Sequence, residues 1–330
     1  MEGDRKMRAV WLENLLLSFR EDVPEPELLK DEALVKVRLA GICSTDLELV
    51  KGYYPYRGIP GHEFVGEIVK APPAPRRVGQ RVVGDINVGC GECPDCLAAR
   101  HGHCKNRCVL GIKNRDGAFA DYLKLPLQNL IPVPETVSDE AAVFTEPLAA
   151  ALQIQQQVQI GDTDNVLVVG AGRLGQLIAR NLAAVAGQLT VVARHHSQQA
   201  LLTAQDIDWI QEGGIRDRSF DIVIEATGSP AGFAMAHQAV RPQGTIVLKS
   251  TYTDTEGTKW PLQLSSLVVD EITLVGSRCG PMAAALDQLE KQQVDPAGLI
   301  AKRYSLSDAL AAFEHAAAPG ALKILFQITP

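Results

Sequence analysis

The sequence predicts an α/β protein of two domains: a β-rich, barrel-like domain followed by a doubly wound parallel-sheet domain. Three observations carry this expectation. At 330 residues the chain exceeds what one ordinary core organises. The first 150 residues read as short strands divided by breakers. After Glu146 the pattern changes to apolar strands alternating with helical stretches, as crossover helices on a parallel sheet require.

In chain order, ALVKVRLAGI (33–42) and EFVGEIVK (63–70) are β-like, while APPAPRR (71–77) and PVPETV (132–137) interrupt. PLAAALQIQQQVQI is helical, and NVLVVGAG is an apolar strand running into a glycine turn. RLGQLIARNLAAVAG continues as a helix and LTVVAR is the next strand. DIVIEATG (221–228) and GTIVLKS (244–250) add buried strands. The last fifty residues, with MAAALDQLEKQQ and SLSDALAAFEHAA, read as mostly helical. The expected boundaries are 1–150, 151–282 and a C-terminal segment 283–330.

Composition narrows the class of function. With 46% hydrophobic and 22% charged residues the chain is that of a soluble globular protein, and a net charge of −7 argues against a nucleic-acid surface. No run approaches the roughly eighteen apolar residues that span a bilayer. In the opening MEGDRKMRAVWLENLLLSF, Glu13 and Asn14 break any stretch that would serve as a signal peptide, so a cytoplasmic protein without a membrane partner is expected. The seven cysteines are an odd number without a secretory context, which points to metal binding and away from a disulfide framework.

Four of them, Cys90, Cys93, Cys96 and Cys104, form C-x2-C-x2-C-x7-C in NVGCGECPDCLAARHGHC. Four thiolates in one loop close a tetrahedral zinc site at Zn–S distances of about 2.3 Å and leave no open position, so the site is structural. A nucleic-acid-binding zinc ribbon is the other reading of such spacing; Glu92, Asp95 and the lack of a basic patch weigh against it. In VVGAGRLG, Gly170, Gly172 and Gly175 fit G-x-G-x-x-G between a strand and a helix, which implies dinucleotide binding through Gly170, Gly172, Arg173, Leu174 and Gly175. Thr227, after the strand DIVIE, joins the candidate cofactor site. An NAD enzyme usually carries an acid at the end of the second strand. Here the chain has Ala193, Arg194 and His195, which favours NADP, with NAD the alternative. Arg194 also reads as a solvated loop residue, and a loop that brought back Asp206 or Asp208 would restore the acid.

A third, dispersed set is ambiguous residue by residue: Cys43, Thr45 and Asp46 in AGICSTDLE, His62 and Glu63 in GIPGHEFVGE, and Glu146 in FTEPLAAAL. A catalytic zinc takes about three such ligands and keeps one position open.

With these segments in this order, the chain resembles the zinc-containing medium-chain dehydrogenase/reductase family of alcohol, sorbitol, threonine and glucose dehydrogenases. The resemblance runs through A-G-I-C-S-T-D, P-G-H-E-x-x-G, the cysteine lobe, T-E-P-L-A, V-V-G-A-G-R-L-G and D-I-V-I-E-A-T-G. It implies a GroES-like catalytic domain, a Rossmann domain, and a C-terminal segment that returns to the catalytic domain. It also implies two zinc ions per chain, with Cys43, His62 and Glu146 on the catalytic one and Glu63 a carboxylate that exchanges there. Thr45 would pass the substrate's proton, and Asp46 would orient the histidine. Glu48 stands where many members have a relay histidine. The implied activity is hydride transfer between NAD(P) and a small alcohol, polyol or sugar, by a homodimer or homotetramer. The rival readings are a zinc-free quinone or enone reductase and a non-catalytic NADPH-binding regulator. The metal ligands and the cysteine lobe oppose the first, and the proton relay opposes the second.

Overall fold

In a computed structural model, which describes residues 5–252 and 260–328, the chain divides into two compact units. The first takes the described residues of Met1–Glu146, Met282–Ala318 and Lys323–Pro330; the second takes those of Pro147–Pro281 with Pro319–Leu322. The first four residues of the opening stretch read above lie outside the described range.

The first unit is built on a seven-stranded sheet centred on Glu32–Gly41. This strand pairs antiparallel with Glu63–Lys70, Tyr122–Pro126 and Lys323–Gln327. The run ALVKVRL has an apolar residue at nearly every position because both faces of the strand are covered: Val35, Val37, Leu39 and Ala40 are all buried. A separate hairpin, Lys6–Glu13 with Leu16–Pro24, turns at Asn14 and Leu15, both left-handed.

The C-terminal residues differ from expectation. Helices form at Met282–Glu290 and Ala309–Ala317, but Ile300–Tyr304 and Lys323–Gln327 are parallel strands that extend the first unit's sheet. KILFQ is five residues long and buried at four of them, so it shows no alternation that would mark it as a strand. Phe326 from this strand and Phe313 from the preceding helix close on Phe119 at ring-centroid distances of 4.9 and 5.9 Å, both edge-on.

The second unit holds a six-stranded parallel sheet. Numbered from Asn165–Val169 as first, its strand order is 3-2-1-4-5-6, the doubly wound arrangement in which ligands bind where the order reverses, beyond the carboxyl ends of the strands. Its core packs Leu167, Val169, Val192, Phe220, Val223 and Ile246 against Ala236 and Ala239 of the helix Pro230–Ala239. No helix among the described residues is long and apolar enough to cross a membrane.

Phe119 is fully buried and held from two sides by the C-terminal rings. Phe119→Ala is therefore expected to lower stability by about 3–5 kcal/mol, the range for an aromatic truncated in a core that cannot collapse. Chemical denaturation followed through the first unit's transition measures it, and a loss under 1 kcal/mol would show that the ring cluster does not hold the C-terminal strand in place.

Candidate functional site

Cys43 caps the short helix Ser44–Val50, which begins as the central strand of the first unit ends. Gly61 precedes His62 and Glu63 in a left-handed conformation, φ +96°; a Cβ there would stand 2.4 Å from the Phe119 ring, so only glycine makes this turn. One buried carboxylate ties the two loops together. Asp46 accepts from the Cys43 amide at 2.8 Å through Oδ2 and from the Gly61 amide at 3.2 Å through Oδ1. The result brings ligand atoms of Cys43, His62 and Glu63 within 4.8 Å of one another.

The electrostatics of this cluster suit a cation. Among the described residues, His62 Nδ1 and Glu63 Oε1 are buried without hydrogen-bond partners. Asp46 Oδ1 lies 3.3 Å from His62 Nδ1, close enough for attraction but not aligned as a hydrogen bond. Burial would lower the His62 pKa, yet the charges of Asp46 and Cys43 beside it hold it well above the ordinary imidazole value. The other oxygen of Glu63, Oε2, pairs with Lys323, a residue that sequence reasoning did not single out. Both side chains are almost wholly buried, and Lys323 also donates to the Ile42 carbonyl at 3.4 Å. A thiolate, an imidazole and a carboxylate with buried free valences suit a zinc ion.

The remaining residues predicted for this site fall around it. The Thr45 hydroxyl is 3.9 Å from Cys43 Sγ. Glu146 stands in the first turn of the helix Thr145–Gln157 and is half-buried, outside the trio whose ligand atoms lie mutually within 4.8 Å. Glu48 pairs with Lys51 at 2.9 Å.

All seven cysteines are free, and the sulfurs of Cys90, Cys93, Cys96 and Cys104 lie within 4.8 Å of one another. Cys90 Sγ is 3.6 Å from Cys104 Sγ and 4.0 Å from Cys96 Sγ. Those separations bracket the roughly 3.8 Å edge of a tetrahedron with 2.3 Å Zn–S bonds. Backbone N–H groups of Glu92 and Cys93 pull the Cys90 thiol down to about 7, which favours the thiolate a metal needs.

In the second unit the glycine loop sits at the switch point, between the strands Asn165–Val169 and Phe220–Glu225. A Cβ on Gly175 would lie 1.9 Å from the Gly170 carbonyl oxygen, so helix and loop approach as closely as glycine permits. A Cβ on Gly172 would meet nothing within 4 Å. That open space lies at the N-terminus of the ten-residue helix Arg173–Leu182, where free N–H groups favour an anion, as a pyrophosphate requires. Leu174 is half-buried on that first turn. Thr227 is fixed by Glu225, whose Oε1 accepts from its amide at 2.7 Å and its hydroxyl at 2.5 Å. Ala193 is buried, and its amide donates to the Ile210 carbonyl. His195 caps the helix His196–Thr203. Arg194 is not a bare loop residue: its Nε and Nη2 donate to one oxygen of Glu212 at 3.0 and 2.5 Å. The acid that returns to this corner is Glu212; neither Asp206 nor Asp208 pairs with Arg194 in the hydrogen bonds and ion pairs of the described residues.

Residues 29–135 match the alcohol dehydrogenase GroES-like domain family. The chain is 34% identical to an L-threonine 3-dehydrogenase from Chelativorans sp. strain BNC1, over 69% of this chain and 72% of the relative. It superposes with a TM-score of 0.88 on a candidate zinc-binding dehydrogenase from Sinorhizobium meliloti 1021 bound to NADP, at 28% identity over 98% of this chain and 99% of the other. With the E. coli CFT073 alcohol dehydrogenase rspB, complexed with NADH, the TM-score is 0.85 at 27% identity, over 99% and 100% of the two chains.

Removing the Lys323 charge strands a buried carboxylate. Lys323→Met is expected to destabilise the metal-free protein by about 3–5 kcal/mol, as breaking one side of a buried pair does, and the zinc-loaded protein by less. Equal denaturation midpoints for wild type and variant in the presence of chelator would contradict the buried pair.

Proposed function

The chain belongs to the zinc-containing medium-chain dehydrogenase/reductase family of zinc- and NAD(P)-dependent oxidoreductases, and we propose that Cys43, His62 and Glu146 hold its catalytic zinc, with Cys90, Cys93, Cys96 and Cys104 holding a structural one. The observation that carries this reading is the buried, unpartnered Glu63 Oε1 beside the Cys43 thiol and the His62 ring, whose Nδ1 faces Asp46. A zinc ion in that position supplies Lewis-acid polarisation of the substrate oxygen. Lys323 holds Glu63 by one oxygen, which leaves the other to exchange with water or substrate. Asp46 fixes both ligand-bearing loops and orients the His62 ring. Thr45 would take the proton of the alcohol and pass it toward solvent, and a bound nicotinamide would supply the hydride acceptor. The substrate is a small alcohol, polyol or sugar; Glu146, where classical alcohol dehydrogenases use a cysteine, is the feature that supports the polyol branch.

Gly170, Gly172, Arg173, Leu174 and Gly175 would hold the nicotinamide cofactor, with Thr227 beside them; the open space at Gly172 supports this reading. NADP is the preferred form, read by Arg194 and His195 where an NAD enzyme carries an acid. The protein works as a homo-oligomer. The strand Thr273–Gly276 ends the order of the parallel sheet, and Val268 and Val269 of the neighbouring helix are 75% and 78% exposed, an apolar edge of the kind that a second copy covers.

Two experiments test these assignments. Metal analysis of the purified protein should return two zinc ions per chain. Cys43→Ser should lose one zinc and turnover with the fold intact, whereas Cys96→Ser should lower thermal stability; one zinc in the wild type, or full activity in the Cys43 variant, would sink the assignment. Sedimentation should give a dimer or tetramer at micromolar concentration, and Val268→Glu with Val269→Glu should dissociate it. A monomeric wild type would exclude this edge as an interface.

A further inference from the structure

Arg194 and Glu212 leave the carboxyl ends of adjacent parallel strands, Gln188–Val192 and Asp208–Ile210, which pair in register from Thr190–Asp208 to Val192–Ile210. Two guanidinium nitrogens, Nε and Nη2, face a single Glu212 oxygen. This is the edge of the guanidinium that grips an oxyanion in bidentate fashion. The side chains are 67% and 47% exposed, so the pair is solvated, adds little to stability and exchanges readily. In this state Glu212 already holds the cation expected to meet a 2′-phosphate, and the two side chains together carry no net charge.

We propose that Glu212 is a specificity-determining residue: it competes with the cofactor's 2′-phosphate for Arg194 and so tempers the preference for NADP over NAD. The proposal rests on the reading that Arg194 faces that phosphate. NADP must draw the guanidinium away from Glu212 and then bind with a carboxylate nearby, whereas NAD leaves the ion pair closed. The relatives compared above include one bound to NADP and one complexed with NADH, so the fold accommodates either form. In this chain the balance falls to an ion pair 18 residues apart in sequence, with Ala193 between the strand and the guanidinium contributing no charge.

The test is equilibrium binding of NADP and of NAD, each alone, to wild type, Glu212→Gln, Arg194→Ala and the double variant, followed by protein fluorescence. Both positions are exposed, and circular dichroism checks that the variants fold. Glu212→Gln should tighten NADP roughly three- to tenfold, the scale of removing one unit charge several ångströms from a phosphate in a solvated setting. The gain should shrink as salt is raised, and NAD should change by less than about twofold. Arg194→Ala should weaken NADP roughly ten- to a hundredfold and leave NAD alone, the range of a lost charge-assisted contact. Adding Glu212→Gln to it should then tighten NADP by less than the same change does in the wild type, because only the direct repulsion between carboxylate and phosphate is left to remove. If Arg194→Ala behaves normally toward NADP, the reading beneath the proposal fails. If Arg194→Ala behaves as expected but Glu212→Gln leaves NADP unchanged, or weakens NAD alone, the reading stands and the competition is overturned.

Discussion

The first unit depends on a problem of charge. Asp46 and Glu63 are both completely buried, beside the half-buried Cys43 thiol and the buried His62 imidazole, where the central strand of the sheet ends. Burying an isolated carboxylate costs more than a domain's whole net stability, so each needs a defined partner. Asp46 is satisfied by two backbone amides from separate loops. Glu63 is satisfied on one oxygen by Lys323 and left open on the other. The C-terminal strand therefore does more than extend a sheet. It delivers the Lys323 ammonium group to Glu63, and its Phe326 packs edge-on against Phe119.

The second unit answers a different constraint, room for a phosphate-bearing ligand against the backbone. Glycine at 175 lets the helix close on the loop, and glycine at 172 leaves the helix N-terminus uncovered. The buried Glu225 carboxylate pins the loop after the fourth strand by accepting from Thr227 and Gly228 amides and from the Thr227 and Tyr252 hydroxyls. Both rims of the switch point are thus held by contacts within the chain itself.

What could be read from the sequence followed the range of the interaction. The cysteine lobe and the glycine loop are local, and their spacing carries their chemistry within fifteen and six residues. The parallel sheet was equally legible, because strands buried on both faces are continuous apolar runs. The catalytic cluster was visible only as separate ambiguous pieces, and the resemblance joined them. Lys323 was missed since its partner lies 260 residues away, although a lysine inside the apolar run ALKILF is itself a signal that a buried charge needs a partner. The strand Lys323–Gln327 was hidden for a related reason: a short segment buried on both faces has neither a period of two nor one of 3.6. Glu212 is not legible because the pairing of the strands Gln188–Val192 and Asp208–Ile210, and not proximity along the chain, sets it beside Arg194.

On the proposed assignment, one chain offers zinc two chemically distinct homes, four sulfurs in one and a single sulfur among nitrogen and oxygen in the other. X-ray absorption at the zinc edge measures this directly. The expected averaged shell is about two and a half sulfurs per zinc at about 2.3 Å, with about one and a half nitrogen or oxygen neighbours near 2.0–2.1 Å. An averaged shell of four sulfurs would mean that only the cysteine lobe binds metal, and would contradict the reading of Cys43, His62 and the Glu63–Lys323 pair as a catalytic centre.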